Sequence, residues 1–372
     1  MSVPIHVRDE VSEHELADVV CGRDVVPSKP ASFVAAALRH RMAPLAVRAG
    51  APSRLPRAEA ALLVEHARAE AVIAALRDRE LARALAALHA AGLRPLVMKG
   101  AHLAHTHYPE SYLRPRDDTD VLVPRAECPR LAQVLERAGY ARLPEITGDV
   151  VHGQMLFART VNVPVLLDVH WRIASPRVAA DLLSYDDLSA HAVHVPRLGE
   201  GTMVPSPVYA LALAAIHQSA HHAGHDLLLW MHDIHLLASH FTPAEVDEFC
   251  DLAADRRITR LCRHAIAAAE EYFPSPTAAA LLARLAGARQ DEPSAFLVEP
   301  RTPLAQLASD LSATRGSAQR LRLVLAHLFP PPAYMRHAFG VGTPALLPLL
   351  YGYRIVRGAG RWLRRRTPPA GR

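Results

Sequence analysis

Lysine and cysteine are scarce in this chain of 372 residues. Only Lys29 and Lys99 are lysine among 42 basic residues, so arginine is the ordinary cation here. Four cysteines without any C-x-x-C spacing suggest neither a disulfide framework nor a thiolate zinc site, and they fit a reducing compartment. The first fifteen residues carry acids where a signal peptide needs a basic and then an apolar segment. We therefore expect a cytoplasmic protein.

Long apolar runs are also missing from the sequence. The stretch 339–353 is apolar, but it is short and contains Pro344 and Pro348, so we expect no transmembrane span. An apolar content of 50% nevertheless suffices for one or two full cores, which excludes a chain that is disordered as a whole.

The net charge of +5 comes largely from the end of the chain. The last nineteen residues contain seven arginines, namely Arg354, Arg357, Arg361, Arg364, Arg365, Arg366 and Arg372. Without them the chain is close to neutral and has no obvious basic face of the kind that binds nucleic acid. The tail is either a solvated terminus or a contact for an anionic partner or membrane surface.

Residue patterns divide the chain into three segments. Residues 1–92 are helical, with a loosely packed lead-in up to about residue 30 and Ala/Leu-rich helices near 31–48 and 58–91. Residues 93–205 alternate short apolar runs with turn residues, and residues 206–372 are mostly helical before the basic tail. We expect an α+β fold in which N-terminal helices and a helical C-terminal domain flank a small mixed sheet.

The central segment predicts the order βαβαββ, followed by a β-turn-β unit at 191–205. The strands are expected at 93–98, 120–124, 149–160 and 163–171, with a short helix after Gly100 and another from Arg125 to Ala138.

Two carboxylates stand two residues apart where an apolar strand begins. Asp118 and Asp120 should project from one face about 7 Å apart, with Asp117 facing the other way. Asp168 lies inside a second apolar strand, where a lone carboxylate is costly to bury unless it is paired or binds metal. Three acids on neighbouring strands indicate a two-metal centre.

Cations precede these acids in the chain. Lys99 and Gly100 follow an apolar run at a strand-to-helix junction, where a small residue lets backbone N–H groups approach a phosphate. Arg114 and Arg116 follow, and both are candidates to neutralise a triphosphate.

The chain resembles the uncharacterised nucleotidyltransferase family of the polymerase-β-like superfamily in four segments: LVMKGAHLAHTHY, RPRDDTDVLV, LLDVHWRI and LLLWMHDIHLL. They span about residues 93 to 240, and the PPPAYMR run further on resembles the family's C-terminal part. Lys99-Gly100 stands where the wider superfamily has Gly-Ser, Asp117 replaces a small residue, and Thr119 replaces an aliphatic one.

The resemblance implies that Asp118 and Asp120 bind two divalent ions, Mg²⁺ or Mn²⁺, and that Asp168 is the third carboxylate, close to the incoming hydroxyl. Lys99, Gly100 and Arg114 would bind a nucleoside triphosphate such as ATP. The implied reaction moves a nucleoside monophosphate to a hydroxyl acceptor and releases pyrophosphate. The acceptor stays open among a small molecule, a peptide or protein, and an RNA end.

The histidines suggest an alternative function. The segment around His217 loosely resembles the H…HD…D arrangement of metal-dependent phosphohydrolases, which would make the protein hydrolytic or a non-catalytic metal binder. It also fits an ordinary packing helix, or a cleft role for His217 and Asp233. After the third acid, His170, Trp171 and Arg172 are further candidates for the substrate cleft.

Overall fold

The computed structural model describes residues 9–144, 153–221, 227–287, 292–299, 302–314, 316–341 and 343–362. Within them one mixed sheet has the strand order β3-β4-β5-β2-β1-β7-β6. The strands are β1 (Leu96–Met98), β2 (Asp118–Leu122), β3 (Ala141–Arg142), β4 (Gln154–Val161), β5 (Val163–His170), β6 (Ala192–His194) and β7 (Met203–Pro205). The expected α+β class is confirmed.

Strand directions bring the acids together at the centre of this sheet. β2 lies between β1, to which it is antiparallel, and β5, to which it is parallel. The register places Asp120 beside Asp168 on one side and beside Met98 on the other. Because side chains alternate along a strand, Asp118, Asp120, Asp168 and His170 share one face of the sheet. We call it the acidic face.

Helices cover both faces of the sheet. They are α1 (Glu10–Val20), α2 (Pro30–Arg39), α3 (Ala43–Arg48), α4 (Arg57–Ala90), α5 (Lys99–Thr106), α6 (Cys128–Arg137), α7 (Arg177–Ala180), α8 (Tyr185–Ala190), α9 (Pro207–His221), α10 (Leu228–Ser239), α11 (Pro243–Asp255), α12 (Thr259–Tyr272), α13 (Pro276–Arg284), α14 (Pro303–Ala313), α15 (Ser317–Leu328), α16 (Pro332–Phe339) and α17 (Leu347–Trp362). No helix in the described ranges is both long and apolar enough to cross a membrane.

The side of the sheet opposite the acidic face packs against α4 and α6. Val97, Val121 and Val169 form a buried cluster there with Leu85 of α4 and Leu131 of α6. Strand alternation explains this arrangement, since these valines lie between the residues that point to the acidic face.

A larger cluster borders the acidic face and includes residues from all three predicted segments. Leu16 of α1, Met98 of β1 and Leu229 of α10 belong to it. The division into 1–92, 93–205 and 206–372 stays a prediction, although these segments share one buried cluster.

The expected loose lead-in is wrong for α1. Asp9 accepts a hydrogen bond from the backbone N–H of Ser12 and caps the helix. Leu16 and Val19 are completely buried. Glu13 is buried as well, and its carboxylate accepts hydrogen bonds from Arg39 and Tyr272. These distant partners offset the cost of burying the Glu13 carboxylate, and the buried Leu16 and Val19 make α1 part of the core.

Most other elements follow the sequence patterns. The 58–91 helix is α4, the 31–48 stretch forms α2 and α3, and the β-turn-β unit is the antiparallel pair β6–β7. The two-residue strand β3 was not expected. The first residues of the strand expected at 149–160 lie outside the described residues, and β4 begins at Gln154.

Candidate functional site

A cavity of about 490 Å³ lies between the acidic face and the helices α9 and α10. The sheet side contributes the three aspartates, His170 and Gln154. The helical side contributes His217, Gln218, Trp230 and Asp233. The cavity therefore joins the strands that carry the acids to the helices of the C-terminal segment.

Asp120 is the central acid of this cavity. Lys99 Nζ lies 2.6 Å from Asp120 Oδ1, and His170 Nε2 lies 2.8 Å from the same oxygen. His170 Nε2 is also 3.3 Å from Asp168 Oδ2. Lys99 reaches Asp120 because it follows Met98, which is the register partner of Asp120 on β1.

Burial and neighbouring charges strongly shift the pKa values of the cavity residues. Burial alone would raise the pKa of Asp120, but the Lys99 ammonium and the hydrogen bond from His170 hold that pKa well below its usual range. Burial would lower the pKa of His170 and Lys99 opposes its protonation, yet the nearby aspartates raise that pKa to about 9. Burial and then the Asp120 carboxylate raise the pKa of Asp118 to about 6. Asp118 and Asp120 thus differ sharply although both face one cavity.

Asp120, Asp168 and His170 can offer ligand atoms that all lie within 4.8 Å of one another. Asp168 Oδ1 is buried and accepts no hydrogen bond from any described residue. Two carboxylates with one unused oxygen fit a divalent cation of the magnesium or manganese type, and His170 could join them as a ligand once it loses the proton that the aspartates hold on it. Asp118 lines the same cavity but is not in this group of three.

Lys99 adopts a left-handed backbone conformation, with a φ of 50°. This region is uncommon for a residue with a Cβ, and such conformations are concentrated at functional sites. The conformation occurs where β1 turns into α5 and the Lys99 side chain reaches Asp120.

Gly100 makes room for a neighbouring arginine. A Cβ at this position would lie 2.7 Å from Arg114 Nη1 and 3.1 Å from Arg114 Cζ. The expected reason for this glycine was the approach of a phosphate to the backbone. The structure adds a second reason, which is the packing of the Arg114 guanidinium.

Arg114 is held by a buried carboxylate. Its Nε lies 3.1 Å from Asp233 Oδ2, its Nη2 also donates to Asp233, and its Nη1 donates to the backbone oxygen of Pro115. The Tyr108 hydroxyl donates to Asp233 Oδ1 over 2.8 Å. Burial would lower the pKa of Arg114, but Asp233 outweighs burial and raises it. This network joins the loop before β2 to α10.

Arg116 is committed to another acid. Its Nη2 donates to Asp78 of α4, and His105 and Ser111 also pair with that carboxylate. Burial opposes ionisation of Asp78, but these partners hold its pKa below the usual range. Arg116 lines the cavity with Nη2 paired, while its Nε and Nη1 are buried and have no hydrogen-bond partner among the described residues.

Arg41 lines the cavity, although the sequence analysis did not indicate it. It follows α2, has a φ of 60°, and donates to both oxygens of Asp117 at 2.6 and 2.8 Å. Asp117 also lines the cavity, so the expectation that it faces away is wrong. The reason is that β2 begins at Asp118, and strand alternation does not apply to the residue before it.

Two expected cleft residues lie elsewhere. The Trp171 ring packs against the cluster beneath the opposite side of the sheet, with the Arg125 guanidinium 4.7 Å from the ring centre. Arg172 pairs with Asp181. Neither lines the cavity, whereas His170, His217 and Asp233 do.

The histidine-rich segment forms no second ligand group in the part of the chain that the structure describes. His232 pairs with the Tyr108 hydroxyl, and Asp233 holds Arg114. His222, His225 and Asp226 lie outside the described residues.

A mixed sheet that presents paired carboxylates to a cavity lined by cations is suited to a phosphate-bearing substrate and a divalent cation. The family model described as uncharacterised nucleotidyltransferase matches residues 27–274, and the chain belongs to that family. The resemblance is thereby confirmed, and it extends into the N-terminal helices. The PPPAYMR run lies outside the match. No curated protein and no solved structure matches the chain.

Proposed function

We propose that the protein transfers a nucleoside monophosphate from a nucleoside triphosphate to a hydroxyl acceptor and releases pyrophosphate. Membership of a nucleotidyltransferase family supports the reaction class. The observation that carries the proposal is the facing pair Asp120 and Asp168 in a cavity that Lys99 also lines, with Asp168 Oδ1 buried and without a hydrogen-bond partner among the described residues. We propose that it acts in the cytoplasm.

Asp120, Asp168 and His170 are the residues that would hold a divalent cation, Mg²⁺ or Mn²⁺, and Asp118 would join them for a second ion. When bound, such ions neutralise triphosphate charge and lower the pKa of the acceptor hydroxyl. The close packing of the carboxylates supports this assignment, because burial and the Asp120 charge already oppose ionisation of Asp118.

The chain's own residues then have separate tasks. Lys99 holds Asp120 ionised and lies at the floor of the cavity, where its ammonium can also contact a phosphate oxygen. Asp168 Oδ1 is the free acceptor for the proton of an incoming hydroxyl. Arg114 and Gly100 shape the nucleotide side of the cavity, and Arg114 keeps its orientation through Asp233.

The acceptor would enter from the helical side. His217, Gln218 and Trp230 line that wall, and an aromatic edge beside polar groups suits an organic acceptor with hydroxyl groups. A small molecule, a peptide or protein, and an RNA end remain the three acceptor classes. We propose the segments 1–92, 93–205 and 206–372 as flanking helices, catalytic core and acceptor-selecting helices.

The test is nucleotidyl transfer with α-labelled nucleoside triphosphates, Mg²⁺ or Mn²⁺, and fractions of a cell extract as the acceptor source. We expect label to enter one fraction with stoichiometric release of pyrophosphate. Asp168→Asn should abolish both signals, because it removes the unused oxygen and one cation ligand. Asp24→Asn is the matched control, since the side chain of Asp24 is 94% exposed and far along the chain from the acids.

Release of inorganic phosphate without labelled acceptor would identify a hydrolase and refute transfer. Equal activity of Asp168→Asn and the native chain would refute the assigned site. The phosphohydrolase alternative gains no support from the described part of this segment, because His232 pairs with Tyr108, Asp233 pairs with Arg114, and no second ligand group forms there.

A further inference from the structure

Exposed apolar side chains concentrate near the C-terminal end of the described chain. Of the fourteen large apolar side chains that are exposed in the described ranges, nine follow residue 300. Most other surfaces carry such residues singly, which is normal for a folded protein. A concentration of this kind marks an interaction surface.

These side chains form stripes along two helices. Leu349, Tyr353 and Val356 of α17 stand four and three residues apart, so they share one helix face, and they are 71%, 52% and 78% exposed. On α15 and its C-cap, Leu321, Leu325 and Phe329 repeat every four residues and are also exposed. The described helices thus leave two apolar stripes in contact with solvent.

The two stripes belong to neighbouring helices. The rings of Phe329 and Tyr351 are 5.8 Å apart, and the Tyr351 hydroxyl donates to the backbone oxygen of Pro330 over 2.6 Å. Arg354 of α17 donates to the backbone oxygen of His327 in α15. Tyr351 and Arg354 lie on the other side of α17 from Leu349, Tyr353 and Val356, so the stripe on α17 faces away from α15. We call this stripe on α17 the apolar C-terminal surface.

The charge of the C-terminal part of the sequence has one sign. Residues 311–372 contain eleven arginines and neither aspartate nor glutamate. The other 310 residues contain 31 basic and 37 acidic residues, so their net charge is −6 against +11 for the C-terminal part. Arg357 lies beside the stripe on α17, with its guanidinium 5.7 Å from the ring centre of Tyr353.

We propose that the apolar C-terminal surface and its arginines dock onto the surface of a bilayer that contains anionic lipids. A bilayer supplies both complements at once, because phosphate groups meet the arginines while the acyl boundary receives the apolar stripe of α17. A second copy of the same surface would bring arginines against arginines. A nucleic acid would meet the charge but leave the apolar stripe in water.

Docking would be interfacial. α17 has sixteen residues, about 24 Å at 1.5 Å per residue, and no described helix qualifies as a membrane span. A helix with an apolar stripe and arginines lies in the plane of the interface, with aromatic rings at the headgroup level. Tyr353 and Arg357 have that arrangement on α17.

The experiment is flotation of the full chain with vesicles of phosphatidylcholine, with and without about a quarter phosphatidylserine. We expect binding to the anionic vesicles at low salt and at least about tenfold weaker binding at high salt or with phosphatidylcholine alone. The double variant Leu349→Glu with Val356→Glu should bind anionic vesicles at least about tenfold more weakly, because both new carboxylates would have to enter the apolar boundary.

Matched controls come from α4. Leu62 and Val72 are exposed there to 51% and 62%, so Leu62→Glu with Val72→Glu adds the same charge outside the apolar C-terminal surface and should leave binding unchanged. Arg357→Gln should weaken binding to anionic vesicles, whereas Arg68→Gln in α4 should not.

Three outcomes overturn the proposal. One is equal vesicle binding by the two double variants. Another is binding that ignores lipid charge and salt. The third is absence of vesicle binding while the chain binds a DNA duplex or self-associates through residues 349 and 356, as measured by fluorescence anisotropy and sedimentation velocity.

Discussion

Gly100→Ala tests whether the packing of Arg114 requires a glycine at the start of α5. Helix propensity alone predicts that alanine stabilises the helix by at most about 1 kcal/mol. The structure predicts the opposite sign, because the new Cβ would lie 2.7 Å from Arg114 Nη1. An arginine tip usually moves cheaply, but this one is fixed by Asp233 and by the backbone oxygen of Pro115.

The expected loss follows from what must break. Arg114 and Asp233 are 8% and 4% exposed, and disrupting a buried ion pair costs about 3–5 kcal/mol. After the propensity gain is subtracted, Gly100→Ala should lower the free energy of unfolding by about 2–4 kcal/mol. Urea denaturation followed by circular dichroism and tryptophan fluorescence measures this difference directly.

Two comparisons make the test specific. Gly352→Ala in α17 should be neutral or slightly stabilising, because nothing lies within 4 Å of its added Cβ. In an Arg114→Met background, Gly100→Ala should cost nothing further, since the guanidinium that it meets is gone. A stabilising effect of Gly100→Ala in the native background, or full additivity with Arg114→Met, would refute the packing argument.

Further predictions concern the same cavity. Asp118→Asn should raise metal-free stability by at most about 3 kcal/mol, because burial and the neighbouring carboxylates disfavour its charge; a lower melting temperature would contradict this. Lys99→Met should lower metal-free stability by about 3 kcal/mol, as the buried Asp120 loses its ammonium, and Mn²⁺ should raise the melting temperature of this variant more than that of the native chain. Burial lowers the pKa of His102 from 6.5 to about 3. Between these two pH values only the unfolded chain binds a proton at His102, so the free energy of unfolding falls by about 1.4 kcal/mol for each unit of decreasing pH. His102→Leu should remove that part of the slope in urea titrations at several pH values, and an unchanged slope would argue against a neutral buried histidine.

Elements with a strong local pattern could be predicted from the sequence. The long Ala/Leu-rich helix α4, the apolar strands β2 and β5, and the β6–β7 pair all follow from periodicity and turn residues. α1 could not, because the partners that allow its Glu13 to be buried, Arg39 and Tyr272, come from distant parts of the chain. β3 has only two residues, too few for a pattern.

The acids of the cavity could be located for the same local reason, since strand alternation places Asp118 and Asp120 on one face. The carboxylate that pairs with each cation could not be predicted from the sequence. Arg114 pairs with a carboxylate 119 residues away in sequence, and no local pattern contains that contact. This contact matters for the proposed nucleotide binding. A phosphate that binds Arg114 must first break its buried ion pair with Asp233, which costs about 3–5 kcal/mol.

Arg41 is held far less firmly. Its partner Asp117 is 70% exposed, and exposed ion pairs contribute only about 0–1 kcal/mol. If the cavity takes a triphosphate as proposed, displacing Asp117 from Arg41 would cost little, whereas recruiting Arg114 would mean breaking its buried pair with Asp233. Under that proposal Arg41 is a cation available to a phosphate, although the sequence did not indicate it, and Arg114 keeps the cavity wall in place.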